Sequence, residues 1–592
     1  MGGRLVPLGE GPKAEALLVR QVGKGEASAA SIAGEGVLAG IVERSARVLV
    51  RRWARICIAL LVALGGALAS VWTLGPRILD IHDSGWLLHG SLGPDPAVYW
   101  LAWRYFVNAS WAVPPGLNPG YGLELSSAIF YVDAVPLAAI LAKALHPFGD
   151  ISQYWGPWLV FSAALHALLA WRLLGLKVRD PWVRGLGALL FVWQPLLLNR
   201  MGGHFALVAQ WALLWSLFLC LRPVPLRQGL HWALCLGTVA MLNPYVLAMC
   251  FLLWLADLGA RTLRGMSKSA AALEGGLVAA TCSLGLWLAG YFCLSGKVEP
   301  VGLRYGQAQL DLTAPFDAVE WGRFLPPLPG LRHWEHGGSY LGAGVLMLLA
   351  IALVLALRGG LGGALKRHWL MVAALLGMLC FAVSPNLAIG GHVVTLFELP
   401  QFFARFADML RSSERFFWPL AYALIFGALV LVALRLPVPA ARVVVAAAIV
   451  LQVTDIEVGM ARFRALVAEA PPVAADRLPS AFWDEAATRY ARVRAVPAGN
   501  FGPHWQEVAR FAAESGLPTD AVYLSRVDPG VVSTVNSRML ADLLAGRWER
   551  GTLYILRNPS VRRLVARRAN PSRDLLAEMD GIAVFAPGWY AR

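Results

Sequence analysis

Four acidic side chains, Asp80, Asp83, Asp95 and Glu124, share the stretch Asp80–Glu124 with four tryptophans and a cluster of proline and glycine. The stretch follows the first strongly apolar segment and precedes the next, which puts it at one membrane face. Long connections without regular structure are uncommon in compact folds and tend to carry function. From Asp95 to Asn108 the pattern turns helical: Val98, Leu101, Ala102, Tyr105 and Phe106 fall on one face, with Asp95 in the first turn. Five aromatics in so short a helix predict one lying in the membrane interface. A carboxylate at the head of such a helix can take a proton from a hydroxyl at the membrane surface. Asp95 is therefore the leading catalytic candidate, with Asp83 and Asp80 behind it. The plainer reading is a helix-start residue favoured by the helix dipole.

Asp133 interrupts an apolar segment, where a charge is costly and usually functional. It either binds a substrate hydroxyl or fastens neighbouring helices. Arg200 and His204 bracket a Gly-Gly turn at a span end, where an arginine can hold a phosphate through paired donors or snorkel to headgroups. Arg405, Arg411 and Arg415 form a dense basic set in ARFADMLRSSERFFWP, although Asp408 and Glu414 lie close enough to neutralise them. The i,i+4 spacing of Arg411 and Arg415 predicts one shared helix face, suited to stabilising an anionic leaving group. Glu335, His336 and Tyr340 belong to RHWEHGGSYLGAG, which reads first as a plain loop and second as a flexible Gly-Gly lid over a sugar pocket. The spacing of His333, Glu335 and His336 is unspecific for a metal.

Elements that would position these residues follow from composition. Of 592 residues, 57% are hydrophobic and 15% charged, and the mean hydropathy is +0.57. Soluble domains average about a quarter charged, so this is a polytopic membrane protein. The net charge of +15 resides largely in arginines between apolar segments, the positive-inside pattern, and argues against nucleic acid as a partner. Seven cysteines lie in or beside apolar runs without metal-ligand spacing and read as small hydrophobes.

Residues 1–43 read as a disordered cytoplasmic N-terminus, with arginines from Arg44 to Arg55 holding the start of the first span on the cytoplasmic side. Residues 44–454 form a membrane domain of about 11–13 spans, with residues 76–125 as its first extracytoplasmic loop. The run 230–258 breaks at Asn243-Pro244 into two helices. Counting spans forward puts residues 146–153 inside, whereas the basic loops downstream put them outside. One segment must therefore be re-entrant or miscounted, and residues 126–145, interrupted by Asp133 and Pro136, are the candidate. Residues 455–592 alternate short apolar runs with helical patterns, as in a small extracytoplasmic α/β domain, and have no glycine-rich phosphate fingerprint.

The order of Asp95, Tyr99, Trp111, Pro114-Pro115 and Tyr121 resembles the first extracytoplasmic loop of the GT-C superfamily of membrane glycosyltransferases. The likeness extends over residues 53–453 through DPAVYWLAWRYF, NPGYGLELSSAIFYVDAVP, RMGGHFAL, GGSYLGAG and RSSERFFWP, and is nearest to bacterial multi-span members. It implies a mainly α, GT-C-like bundle in the bacterial inner membrane, with a periplasmic C-terminal domain. It also implies a polyprenyl-phosphate-linked sugar donor and a glycan, lipid or protein acceptor. In that superfamily an Asp beyond the first span is the base of an inverting transfer. Pro96 departs from the pattern of two adjacent acidic residues that many members show. No cofactor is called for, and metal dependence varies among members. On this reading Arg411, Arg415, Arg405, Arg200, His204, Asp133 and Tyr340 bind substrate. The competing readings are a transporter or translocase of lipid-linked glycans, and an inactive scaffold. Transport predicts charged or broken helices at mid-membrane and often an internal repeat; no repeat is evident, and Asp133 and Asn243-Pro244 are the features that favour it.

Overall fold

The computed structural model describes residues 53–591 except 55, 126, 295–298, 301–302, 329–337, 360–361, 473–477, 500–501, 503 and 525. The expected N-terminal region 1–43, and His333, Glu335 and His336 of the expected lid, lie outside the described residues. Val62–Arg592 forms one compact unit.

Among the described residues six helices are long and apolar enough to cross a membrane: Ile56–Leu74, Trp155–Leu174, Pro244–Leu263, Lys268–Leu288, Ser413–Arg435 and Val438–Glu469. Pro181–Val192 and Pro195–Gly202, bent by 43°, make a seventh if they form one span. Four shorter apolar helices follow the same composition: Pro136–Phe148, Phe205–Leu221, Ala343–Gly359 and Trp369–Val383. The protein is thus a mainly helical membrane bundle with a small C-terminal sheet domain. Glycines let its helices meet closely. A methyl group on Gly66 would come within 2.5 Å of the Ala163 carbonyl, and one on Gly344 within 2.1 Å of that of Ala448.

Proline and its preceding caps set the breaks. Asn243 caps the helix after it by accepting the Tyr245 N–H at 2.9 Å, and Pro244 occupies the first turn, so the run splits as its sequence predicts. Residues 127–135 form no helix, and Asp133 and Val135 both adopt positive φ. The helix that follows, Pro136–Leu145, has ten residues. It covers about 15 Å, roughly half the hydrocarbon thickness. This segment is the one singled out by the conflict between loop charges. The last apolar helix runs to Glu469, past the expected domain boundary at 454.

The helix Asp95–Asn108 begins where the sequence predicts, but it is enclosed by protein and presents no apolar face outward. Eleven of its fourteen residues are buried. The polar tips of its aromatics reach backbone carbonyls within the protein instead of headgroups: Tyr99 donates to Gly203 at 2.8 Å, Trp103 to Ile151 at 3.2 Å and Tyr105 to Leu517 at 2.9 Å.

The C-terminal sheet has four strands in the order β4-β6-β8-β7, namely Arg492–Val496, Thr552–Leu556, Ile582–Ala586 and Leu575–Met579. Its last two strands in the chain, β7 and β8, pair as a hairpin around Asp580-Gly581, both at positive φ. Val496, Met539, Tyr554, Val565 and Phe585 lie in the core between sheet and helices. The free edge of β4 is covered by Thr519, which bridges to both Val493 and Tyr121. The first loop thereby continues the sheet: Gly122 N–H donates to the Thr519 carbonyl at 2.8 Å, and Thr519 N–H to that of Gly120 at 3.0 Å. Arg494, buried beside Asp520, also pairs with Glu124 of the first loop.

Candidate functional site

A cavity of about 400 Å³ opens where the first loop, the span ends and the C-terminal domain meet. Asp95, Asp133 and His204 line it together with Arg411, Arg415 and Arg526. Asp95 stands at the head of its helix, and His204 sits in the turn between two apolar segments. His204 Nδ1 lies 3.3 Å from Asp95 Oδ2, and each side chain is about a third exposed (36% and 37%). Burial raises the Asp95 pKa above the ordinary carboxylate value, against the pull of Arg415. Burial, with the positive charges of Arg415 and Arg200, holds the His204 pKa well below the usual histidine value. A neutral imidazole beside a carboxylate of raised basicity can orient it by one hydrogen bond without neutralising it.

Asp133 accepts from Asn243 Nδ2 at 3.2 Å. Its pKa rises to about 6, chiefly by burial and further by Asp95, with Arg415 opposing. The cavity thus holds two carboxylates that ionise reluctantly, facing cationic side chains. Arg415 stacks over the Tyr245 ring at 4.7 Å. Arg411 lies in the turn before a 3-10 segment, Ser413–Phe417, that carries Arg415. The expected shared α-helical face is therefore absent, yet both side chains reach the cavity.

Other predicted residues lie elsewhere. Asp83 Oδ1 accepts from Arg77 Nη2 at 3.0 Å and from Gly85 N–H at 3.0 Å, and Asp80 caps His82 N–H at 2.9 Å. Neither lines the cavity. Arg200 is fully buried, its guanidinium 5.8 Å from the Trp418 ring centre and close enough to Glu414 for a charge interaction. Arg405 is exposed on the helix Gln401–Asp408, outside the cavity. Tyr340 is buried and donates to Asp455 Oδ2 at 2.6 Å, tying the residues before the Ala343–Gly359 helix to the Val438–Glu469 helix. Among the described residues no group of three His, Cys, Asp or Glu side chains is placed to hold a metal ion.

Sequence reasoning missed Tyr523 and Arg526, both cavity residues from the C-terminal domain. Arg526 begins the two-residue strand β5, which pairs antiparallel with β1, Glu299–Pro300, and its Nη2 donates to the Met409 carbonyl at 3.2 Å. Tyr523 is held through its carbonyl, which accepts from Tyr121 at 3.1 Å. Nothing in the local sequence marks either residue, because the first loop brings them into place.

No curated protein matches the chain. Among solved structures it is similar to the archaeal oligosaccharyltransferase AglB from Archaeoglobus fulgidus, determined with an inhibitory peptide and a dolichol-phosphate. The match covers 91% of this chain and 75% of that one at 11% identity, with a TM-score of 0.39, too slight a likeness to carry anything about the site. Residues 482–587 match the C-terminal domain of DUF6311. Residues 62–457, more than half of the chain, match the DUF6311 domain of unknown function, and the protein belongs to that family.

Proposed function

We propose that the protein is an integral-membrane glycosyltransferase that moves a sugar from a polyprenyl-phosphate donor to an envelope glycan, lipid or protein. The observation that carries this reading is the meeting of Asp95 and Asp133 with Arg411, Arg415 and Arg526 in one cavity at the ends of apolar helices. Asp95 takes the proton of the acceptor hydroxyl as its oxygen bonds to the anomeric carbon. The bond from that carbon to the phosphate oxygen breaks on the opposite face, and its electron pair leaves with the polyprenyl phosphate. Attack and departure on opposite faces invert the anomeric centre.

Each neighbour has a part. His204 fixes the direction of the Asp95 carboxylate. Arg411 and Arg415 hold the leaving phosphate as its charge grows, in a site where water is scarce and such contacts are strong. Asp133, steadied by Asn243, accepts a sugar hydroxyl. Mass spectrometry of envelope glycans tests the reading. Deleting the gene should remove a sugar-sized mass that the wild-type gene restores. An unchanged profile of glycans, lipids and proteins would count against transfer and in favour of translocation or scaffolding.

A further inference from the structure

The helix Pro244–Leu263 has 20 residues and is about 30 Å long, enough to cross hydrocarbon. Its start, with Asn243, lines the cavity that holds Asp95. Its last two turns line a second cavity, of about 210 Å³. The two cavities therefore stand at opposite ends of one membrane-crossing helix.

Small residues make room for the second. Ala256, Ala260 and Arg264 fall on one helix face at i,i+4 spacing, and all three line it. A methyl group on Gly259 would come within 3.5 Å of Leu370 Cδ1, so the helix Trp369–Val383 packs closely alongside. Lys366, Arg367 and His368, which lead into that helix, complete the lining.

The charge of this cavity is positive. Its carboxylate, Asp257, is already engaged: Oδ2 accepts from Trp232 Nε1 at 2.7 Å, Arg261 Nε at 2.9 Å and Gln228 Nε2 at 3.2 Å. Arg261 Nη1 also donates to Glu274 at 2.8 Å, and Arg222 is close enough to Asp257 for a charge interaction. Two carboxylates thus meet two arginines within the protein. Arg264, Lys366 and Arg367 make no ion pair with a carboxylate among the described residues. Burial, with the positive charges of Arg367, Arg264 and Lys177, holds the His368 pKa below the usual histidine value. Cations from three separate stretches of the chain therefore converge on this one histidine.

The rim is apolar. Leu263 and Trp369 both line the cavity and are 71% and 55% exposed. A cationic hollow bordered by exposed leucine and tryptophan at a helix end suits an anionic amphiphile better than a soluble ion.

We infer that this cavity binds the phosphodiester headgroup of an anionic phospholipid in the leaflet opposite the Asp95 cavity. The site is independent of the proposed sugar transfer and would stand if that reading failed.

Native mass spectrometry of the purified full chain in detergent tests this, with phosphatidylglycerol, phosphatidylcholine and glycerol 3-phosphate as probes. Phosphatidylcholine carries the same phosphodiester but adds a cation that the cluster repels. The wild type should hold phosphatidylglycerol at least about tenfold more tightly than phosphatidylcholine. Glycerol 3-phosphate should not displace it at equal concentration. The double variant Arg264→Gln, Arg367→Gln should lose the preference, and each single substitution should lower it about threefold. Arg264→Lys with Arg367→Lys should keep most of it. Arg227→Gln with Arg358→Gln removes the same charge at helix ends outside the cavity and should leave the preference intact. A preference that survives the double glutamine substitution overturns the assignment. So does an equal loss in the Arg227 and Arg358 pair, which would make the effect one of general surface charge. Displacement by glycerol 3-phosphate would also overturn it and give the cavity to a soluble phosphate.

Discussion

His204 Nδ1 and Asp95 Oδ2 stand 3.3 Å apart, joining the head of the first-loop helix to a turn more than a hundred residues later. Burial and two nearby arginines hold the histidine neutral, and in the proposed mechanism its part is to orient the carboxylate without protonating it. A hydrogen bond to a charged group contributes about 1.5–3 kcal/mol, hence His204→Ala should lower kcat roughly ten- to a hundredfold. The KM for donor should change little. Steady-state kinetics of the reconstituted protein separate these effects, and an equal loss in KM would make His204 a binding residue instead.

Asp133 should trade stability for function. Its pKa in the folded chain, about 6, stands above the ordinary 3.8. Below the ordinary value the carboxyl is protonated in the folded and unfolded chain alike, and the fold is not penalised. As pH rises through 6 the folded chain must hold a charge it disfavours, and that stability is lost. Asp133→Asn should therefore leave the thermal midpoint unchanged near pH 4 and raise it at about pH 8, by an amount equivalent to roughly 2–3 kcal/mol at most. Transfer activity should fall in the same variant. Thermal unfolding in detergent at the two pH values reads the first effect.

Tyr340 should behave in the opposite way. Its hydroxyl supplies one of the hydrogen bonds to the buried Asp455 carboxylate, far from the cavity lining. Tyr340→Phe should cost about 1–3 kcal/mol of stability by leaving that oxygen short of a donor. Activity per folded molecule should stay near wild type, which a thermal-shift measurement paired with a transfer assay will show.

The C-terminal domain should be needed for transfer itself. Arg526 lines the cavity and is positioned by its backbone pairing with Pro300 and its bond to the Met409 carbonyl. Arg526→Gln should raise the donor KM about tenfold, the scale of one charge-assisted hydrogen bond. Expression and membrane insertion should be unaffected. A donor KM equal to wild type would reduce Arg526 to a fastening for Met409.

Legibility in the sequence followed how local the cause was. Asp95 was visible because a helix starts there, and Asp133 because a charge broke an apolar run. The break at Asn243-Pro244 was written in a cap and a proline. Arg200 and Tyr340 looked the same as site residues, yet distant partners, Glu414 with Trp418 and Asp455, turn them to structural use. Arg411 and Arg415 reach the cavity although the helix expected to align them is a turn and a 3-10 segment. Tyr523 and Arg526 could not be read at all, since their place depends on a bridge spanning some four hundred residues.

The most direct test of the central claim replaces Asp95 by asparagine, which keeps the shape and removes the base. In a deletion strain carrying Asp95→Asn at wild-type abundance in the membrane, mass spectrometry of envelope glycans should find the sugar-sized mass absent or reduced by about 10²–10⁴-fold. Full restoration of that mass by Asp95→Asn would contradict the assignment of Asp95 as the base.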